Sequence, residues 1–260
     1  MKYKTAVVPV MHGDANVRTQ LRRGLSRSSI RVMACRSLKH LHLVYQRELV
    51  DALVVDVRSY GAEAAADLAD LYPRIPLFAL SAFRPDDGGL LDRCRAVGFR
   101  GILVLGVDDT VAADLIAARS ASRQRQLELG NATRLLRLTE PLQLDVWRAV
   151  LARVGSPSRT SDIADGLKVT REHLSREFAA GGAPNLKRVI DLVRTIWVAD
   201  LLRNPGYDVR TVACILQFSS PSHLASSVKR VAGVTPSELP GLGPSGVLRR
   251  FVRGRMRSRL

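Results

Sequence analysis

The sequence has few of the features that mark secreted, metal-binding or membrane-spanning proteins. Its only cysteines among 260 residues are Cys35, Cys94 and Cys214. No Cys-x-x-Cys pair is present, so the sequence predicts neither a disulfide framework nor a zinc site. No apolar run approaches the ~18–20 residues of a transmembrane helix, and the N-terminus lacks a signal-peptide pattern. We therefore expect a soluble protein of the reducing cytoplasm, with no metal, no cofactor and no membrane partner.

Acidic residues are also scarce, and most of the imbalance lies in the second half of the chain. Residues 1–120 hold 17 basic and 13 acidic side chains, whereas residues 121–260 hold 23 and 11. A near-neutral segment beside a strongly basic one indicates a polyanionic partner for the basic segment. Charge alone favours nucleic acid, and it leaves a solvated basic surface or an anionic lipid surface as alternatives.

Five short apolar runs in the first 120 residues predict buried strands. The runs are apolar on both sides of the strand alternation, as in parallel strands that helices cover on both faces. The predicted strands are 5–10, 30–35, 52–57, 76–80 and 101–105, and helical patterns occupy 15–26, 37–48, 62–71, 88–96 and a segment from about 109. This alternation predicts an α/β fold with a five-stranded, doubly wound parallel sheet.

The rest of the chain has no strand signal, which divides the sequence into segments of different character. We expect an α/β domain at 1–120, a polar helical linker at 121–138, an all-helical domain at 139–240 and a basic tail at 241–260. The tail holds six arginines and no acidic residue. Two alternatives remain open for it, namely additional phosphate contacts that are independent of base sequence, or a disordered segment. Its arginines are Arg249, Arg250, Arg253, Arg255, Arg257 and Arg259.

Two pairs of short helices in the 139–240 segment have the spacing of a helix-turn-helix unit. The pairs are 161–167 with 170–180 and 208–216 with 220–231, each joined by a turn of a few residues. In such a unit the second helix enters the major groove of DNA. A predicted helix of ~20 residues lies between the pairs and would span ~30 Å at 1.5 Å per residue. Because successive major grooves lie ~34 Å apart, two recognition helices on one chain could reach adjacent grooves, with DNA bending closing any mismatch.

Specific motifs accompany these helices. Ile163 and Ala164 precede LSREF at 174–178, ADLL stands at 199–202, and the closing run contains VRTVA at 209–213, QFSSPSHL at 217–224 and KRVAGVTPSE at 229–238. Residues 160–239 thereby resemble the AraC/XylS-type DNA-binding domain. That family usually has Gly where Gln217 stands, Phe where Leu224 and Val228 stand, and often an outward Arg where Ser226 stands. These departures predict weaker base reading by the second unit.

The resemblance implies base-reading positions, and side-chain chemistry suggests phosphate contacts beside them. Arg176 can pair with guanine O6 and N7, and Glu172 can accept from cytosine N4. Short polar or basic groups near helix starts suit phosphate. The expected base-reading residues are Glu172, Ser175, Arg176, Ser222 and Ser226. The expected phosphate-binding residues are Thr170, Arg171, Ser220, His223 and Lys229.

The first 120 residues resemble a response-regulator receiver, whose sheet is flavodoxin-like. Asp56 falls at the phosphoacceptor position and Ser81 at the hydroxyl position. His12 and Gly13 replace the acidic pair, with Asp14 one place further on, and Leu105 replaces the lysine. Mg²⁺ needs carboxylate ligands, and the ion and the lysine neutralise the transferring phosphoryl group. We therefore expect a degenerate pocket without phosphotransfer, in a domain that serves dimerisation, partner docking or ligand sensing.

Three functions from different classes compete. The leading one is a sequence-specific regulator of transcription that binds double-stranded promoter DNA at the bacterial nucleoid; the AraC-type resemblance implies activation through contact with RNA polymerase. The second is a phosphorylation-controlled response regulator with Asp56 as phosphoacceptor. The third is a small α/β enzyme that uses His12, Asp14, Asp56 and Ser81. No nucleophile elbow, glycine fingerprint or metal-ligand spacing supports an enzyme, so we expect none.

Overall fold

The computed structural model describes residues 5–153 and 159–257, which fall into two compact units. The α/β unit comprises residues 5–124 together with Asn204–Tyr207. The helical unit comprises Arg125–Arg203 and the described residues from Asp208 onward. Within the described ranges, no helix combines the length and apolarity needed to cross a membrane.

The α/β unit is built on a five-stranded parallel sheet, which confirms the predicted fold class. The strands are β1 (Val7–Met11), β2 (Arg31–Ala34), β3 (Leu53–Val55), β4 (Leu77–Ser81) and β5 (Gly101–Val104). Their order in the sheet is β2-β1-β3-β4-β5, and every pairing is parallel. Every residue of β1 and β4 is buried, as expected for strands with helices on both faces. The order reverses between β1 and β3, so the carboxyl ends of these strands form the switch point where such sheets place their sites.

Helices follow each strand of this unit. They are α1 (Ala15–Ser26), α2 (Leu38–Arg47), α3 (Val57–Tyr60), α4 (Ala66–Leu71), α5 (Gly88–Val97) and α6 (Ala112–Ala118). The single turn α3 is a correction, because the sequence pattern extends the third strand to Val57. The strand ends at Val55 because the Asp56 side chain accepts a hydrogen bond from the Arg58 backbone N–H and thereby caps a helix.

The remaining helices belong to the second half of the chain. They are α7 (Ala121–Glu128), α8 (Ala132–Leu136), α9 (Pro141–Ala152), α10 (Thr160–Leu167), α11 (Arg171–Phe178), α12 (Leu186–Leu201), α13 (Val209–Ile215), α14 (Pro221–Ala232) and α15 (Leu239–Arg257). The segment predicted as a linker contributes Leu129, Ala132 and Leu136 to the buried residues of the helical unit. Residues 125–138 of this segment therefore belong to the helical unit, and hydrophobic burial helps to hold them there.

Helix α12 is the central element of the helical unit. Twelve of its 16 residues are buried, and it contacts α9, α14 and α15. It begins at Leu186 because the Asn185 side chain accepts from the Arg188 N–H as an N-cap. With 16 residues, it spans ~24 Å at 1.5 Å per residue. The connecting helix is thus shorter than the sequence pattern predicts.

Residues 241–257 of the basic C-terminal segment form most of α15. The backbone kinks at Gly243, whose φ is +59°, and Pro244 follows in the first turn after the kink. One face of α15 is buried and contains Val247, Leu248 and Phe251. The opposite face is exposed and contains Arg249, Arg250 and Arg253. The other three arginines of the predicted set are Arg255, Arg257 and Arg259. The side chains of Arg255 and Arg257 and the whole of Arg259 lie outside the described part of the chain.

Candidate nucleic-acid interface

The first helix-turn-helix unit consists of α10 and α11. Helix α10 ends at Leu167, and its C-cap Lys168 has a left-handed backbone with φ of +57°. The N–H of the next residue, Val169, donates to the carbonyl of Ala164 at 3.1 Å. Thr170 then caps α11, and its Oγ1 accepts from the His173 N–H at 3.2 Å. This tight turn fixes where the recognition helix α11 begins.

The second unit, α13 and α14, repeats this geometry. Gln217 has φ of +53°, and the N–H of Phe218 donates to the carbonyl of Ala213 at 2.8 Å. Ser220 caps α14 by accepting from the His223 N–H at 3.0 Å, and Pro221 occupies the first helical position. Gln217 therefore has the same left-handed backbone conformation as Lys168 of the first unit. It stands at the position where the AraC-type pattern has Gly.

Each unit has its own apolar core. Ile163, Leu174 and Phe178 are fully buried in the first unit. Leu224 and Val228, which stand where the family has Phe, are fully buried in the second unit, as is Val212. The smaller side chains thus keep the same inward face, and the outward face of α14 keeps its predicted residues.

All ten residues that the sequence assigned to DNA contact lie at the surface of these two units. Nine are exposed and Ser220, which caps α14, is half-buried. The exposed nine are Thr170, Arg171, Glu172, Ser175, Arg176, Ser222, His223, Ser226 and Lys229. These residues extend from the starts of α11 and α14 along the exposed faces of the two helices.

Besides the capping hydroxyls of Thr170 and Ser220, two of these residues have local side-chain partners. Arg176 Nε lies 3.2 Å from Oε1 of its neighbour Glu177, in an ion pair whose side chains are 75% and 45% exposed. Such an exposed pair contributes little, about 0–1 kcal/mol, so a ligand can displace it at small cost. His223 Nδ1 lies 2.9 Å from Ser219 Oγ, and its ring meets the edge of Phe218 at a centroid distance of 5.6 Å.

A second candidate site lies at the carboxyl edge of the sheet in the α/β unit. Asp56 and Ser81 meet there, with Ser81 Oγ donating to Asp56 Oδ1 at 2.7 Å. Asp56 also accepts from the Ser59 hydroxyl, which the sequence does not predict, and from the Arg58 N–H at 3.3 Å. Both of its oxygens therefore bind groups of the protein.

The other predicted pocket residues have different roles. The Asp14 side chain accepts from the Asn16 N–H at 2.7 Å and caps α1, and His12 Nδ1 accepts from the Asp14 N–H at 3.1 Å. Leu105, which replaces the lysine of the receiver pattern, donates its backbone N–H to the Ser81 carbonyl at 2.9 Å. An apolar side chain thus follows β5 where phosphotransfer needs a cation. Among the described residues, no group of three His, Cys, Asp or Glu side chains is placed to hold a metal ion.

Solved structures with some likeness to this chain are response regulators. One from Thermotoga maritima is 15% identical with a TM-score of 0.40 and covers 44% of this chain and 97% of its own. One from Burkholderia pseudomallei is 19% identical with a TM-score of 0.37, covering 66% and 97%. Full-length FixJ from B. japonicum is 13% identical with a TM-score of 0.39, covering 90% and 100%. Identities and TM-scores this low carry no information about what this chain binds.

A family comparison bears directly on the two helix-turn-helix units. No match is found among curated proteins. Residues 163–240 match the family model described as "Helix-turn-helix domain". The matched segment runs from the core of α10 to the start of α15 and so includes both units. The match confirms the AraC-type resemblance that the sequence motifs indicate for residues 160–239.

Proposed function

We propose that this protein is a transcription regulator that binds specific sequences in double-stranded DNA through α11 and α14. The carrying observation is that two helix-turn-helix units with the same turn geometry expose polar and basic side chains along their second helices, from the first turn to the last. Helix starts also offer unpaired backbone N–H groups and a positive dipole end to phosphate. The basic excess of residues 121–260 favours the same ligand.

The two units have unequal chemistry. In the first, Arg176 and Glu172 can each read a base edge, and Ser175 adds a short hydroxyl. In the second, Ser222 and Ser226 offer only hydroxyls. We propose that the first unit carries most of the sequence discrimination and that the second chiefly fixes register. Thr170, Arg171, Ser220, His223 and Lys229 then hold the phosphates.

The length of α12 has a consequence for the DNA. A connecting helix of ~24 Å is shorter than the ~34 Å between successive major grooves on one face. We propose that the DNA bends toward the protein so that both helices enter their grooves. Smooth bending of a 20–30 bp site by 40–90° costs about 1–6 kcal/mol, and the phosphate contacts that the second unit gains would offset this cost.

The α/β unit is proposed to act without phosphotransfer. Asp56 is engaged by Ser59 and Ser81, and Leu105 stands where a lysine is needed. Dimerisation or partner docking suits the unit better, because Val107 and Val111 are 75% and 45% exposed near each other in the chain. We further propose activation of transcription at the nucleoid through contact with RNA polymerase.

A phosphorylation-controlled regulator is the second candidate. One observation favours it: Asp56, at 8% exposure, and Ser81 keep the receiver arrangement of acid and hydroxyl at the ends of β3 and β4. The two candidates share the same DNA-binding output, and they differ in whether Asp56 accepts a phosphoryl group.

The test of the proposal is selection of binding sites from random duplex DNA by the full chain, followed by hydroxyl-radical footprinting. We expect an enriched sequence with two protected patches on one face of the duplex and better-defined bases in one of them. A gel-shift assay of circularly permuted fragments should show bending. Failure to enrich any sequence, with binding no tighter than to bulk DNA, would contradict the proposal.

A further inference from the structure

Arg194 is a partly buried cation on α12, the central helix of the helical unit. Its guanidinium reaches the turn of the second helix-turn-helix unit. Nη2 donates to the carbonyl of Leu216 at 2.9 Å and to that of Gln217 at 3.5 Å. Burial lowers the pKa of this guanidinium from its ordinary value, yet an arginine remains charged at neutral pH.

Arg194 supplies a hydrogen-bond donor and a positive charge to the carbonyls that follow α13. The last carbonyls of a helix have no partner within the helix, and a cation there also complements the negative end of the helix dipole. The turn also needs stabilisation because Gln217 adopts a left-handed conformation, which is disfavoured for a residue with a side chain. Arg194 binds the carbonyl of this strained residue and that of the residue before it, and so holds the turn.

A chain of ring contacts continues from Arg194 to the recognition helix. Its Cζ lies 3.8 Å from the centroid of the Phe218 ring, a close cation–π contact. The Phe218 ring packs at 78° against His223, in the first turn of α14. His223 in turn lies 2.9 Å from Ser219 Oγ through Nδ1, and its N–H is bound by the capping Ser220. A single aromatic ring therefore connects the guanidinium to a proposed phosphate ligand.

Helix α12 also holds α14 further along its length. Arg230 Nη2 binds Asp191 Oδ2 at 3.0 Å, one turn of α12 before Arg194. The same nitrogen lies 3.2 Å from Ser227 Oγ. Two arginines, one on each helix, thus fix the start and the later turns of α14 on α12. The orientation of α14 is set by these contacts together with the apolar core of Leu224 and Val228.

We propose that Arg194 is a positioning residue for DNA binding by the second unit: it fixes the 216–218 turn and, through Phe218 and His223, the start of α14. This inference rests on the proposed function, since it requires α14 to contact DNA. It predicts that removal of the Arg194 guanidinium affects one half of the DNA site, because its hydrogen bonds and its ring contact lie in the second unit.

The experiment uses the full chain and a duplex that the wild-type protein has selected, footprinted in two halves. Arg194→Met should lower affinity for this duplex about tenfold, with protection abolished over the half bound by α14 and kept over the half bound by α11. Arg188→Met is the matched control. Arg188 lies on the same helix and its Cζ is 5.2 Å from the Phe251 ring, but that ring lies on α15, so both halves should stay protected to the same degree.

Two further variants separate positioning from general stability. Arg194→Lys keeps the charge but cannot bind two carbonyls while its plane covers a ring, so it should recover at most part of the affinity. Gln217→Gly removes the strain that Arg194 offsets, because glycine adopts positive φ readily. The double variant Arg194→Met with Gln217→Gly should bind the selected duplex at least threefold more tightly than Arg194→Met alone. It should also regain protection over the half bound by α14.

Three outcomes would overturn the inference: unchanged affinity of Arg194→Met, an equal decrease of protection over both halves, or no restoration by Gln217→Gly although the double variant is folded by circular dichroism. Failure of the proposed function looks different, because the wild-type chain itself would then protect no specific duplex. The two failures are therefore distinguished by the wild-type footprint.

Discussion

Lys168 and Gln217 occupy the same position in the two helix-turn-helix units, each in the left-handed conformation, with φ of +57° and +53°. In both units the following N–H returns to a carbonyl five residues earlier, at 3.1 Å from Val169 and 2.8 Å from Phe218. The two turns are thus built alike from unrelated residues. Neither is glycine, so each unit carries a conformational cost that the surrounding interactions offset.

This relationship predicts an unusual effect of glycine. Lys168→Gly should raise the free energy of unfolding by about 0.5–1 kcal/mol, because the relief of left-handed strain exceeds the entropy that glycine loses on folding. Lys168→Val should lower it, since a β-branched residue is a true outlier there. Urea denaturation followed by tryptophan fluorescence measures the helical unit, because Trp147 and Trp197 both lie in it. The control is Lys229→Gly, which should lower the free energy of unfolding because Lys229 lies within α14. The prediction would be contradicted if Lys229→Gly stabilised the unit and Lys168→Gly destabilised it.

Base reading by the first unit can be separated from general attraction to DNA. Arg176→Ala should weaken binding to the selected duplex at least tenfold and binding to random duplex threefold or less, because a bidentate contact to guanine contributes about 1–3 kcal/mol of discrimination. Fluorescence anisotropy at fixed salt measures both. Arg148→Ala is the control, since Arg148 is a similarly exposed arginine in a local ion pair, 2.6 Å from Asp145. Equal weakening on the two duplexes would remove Arg176 from the base-reading set.

The pocket around Asp56 predicts that phosphoryl donors do not phosphorylate this protein. Incubation of the full chain with acetyl phosphate and Mg²⁺ should add no phosphoryl mass, because both oxygens of Asp56 are engaged and Leu105 replaces the neutralising cation. Intact-protein mass spectrometry at acidic pH, which preserves acyl phosphates, is the measurement. Asp56→Asn should leave DNA affinity within twofold. A phosphorylated Asp56 together with a changed DNA affinity would establish the phosphorylation-controlled alternative.

Much of this architecture can be predicted from the sequence. Buried parallel strands are short apolar runs, so the pattern predicts all five, and cap residues such as Thr170 and Ser220 mark where recognition helices begin. The role of Arg194 cannot be predicted in this way, because a single arginine within an apolar helical pattern does not reveal its partner. Its one sequence signal is that it is a cation within a largely apolar helical stretch.

Other differences also have physical causes. Helix α3 escapes sequence-based prediction because a single turn depends on one cap, Asp56, rather than on periodicity. The helical character of α15 is hidden by the Gly and Pro residues around Gly243 and Pro244, which usually break helices. The chain kinks there and continues, because Val247, Leu248 and Phe251 are buried in the helical unit.

The exposed arginines of α15 predict a change in salt dependence. Replacing Arg249, Arg250 and Arg253 with Gln should lower the slope of log K against log[salt] by up to ~0.9 for each phosphate that α15 no longer neutralises. Affinity should fall by similar factors on selected and random duplexes. Arg22, Arg23 and Arg36, which are exposed in the α/β unit, provide a control with the same charge change. An equal change in slope for the two triple variants would assign the effect to net charge and not to α15.

Arg125 and Asp200 form a buried ion pair whose coupling can be measured. Arg125 Nη1 lies 2.7 Å from Asp200 Oδ2, both side chains are 2% exposed, and the guanidinium stands 5.3 Å from the Trp197 ring centroid. Removing Asp200 takes a counter-ion from the buried Arg125 guanidinium, so Asp200→Leu should cost about 3–5 kcal/mol, whereas Arg125→Met combined with Asp200→Leu should cost far less. Urea denaturation of the two single variants and the double variant completes the cycle. Additive destabilisation would show that the two charges are stabilised independently, and the coupling energy would then be near zero.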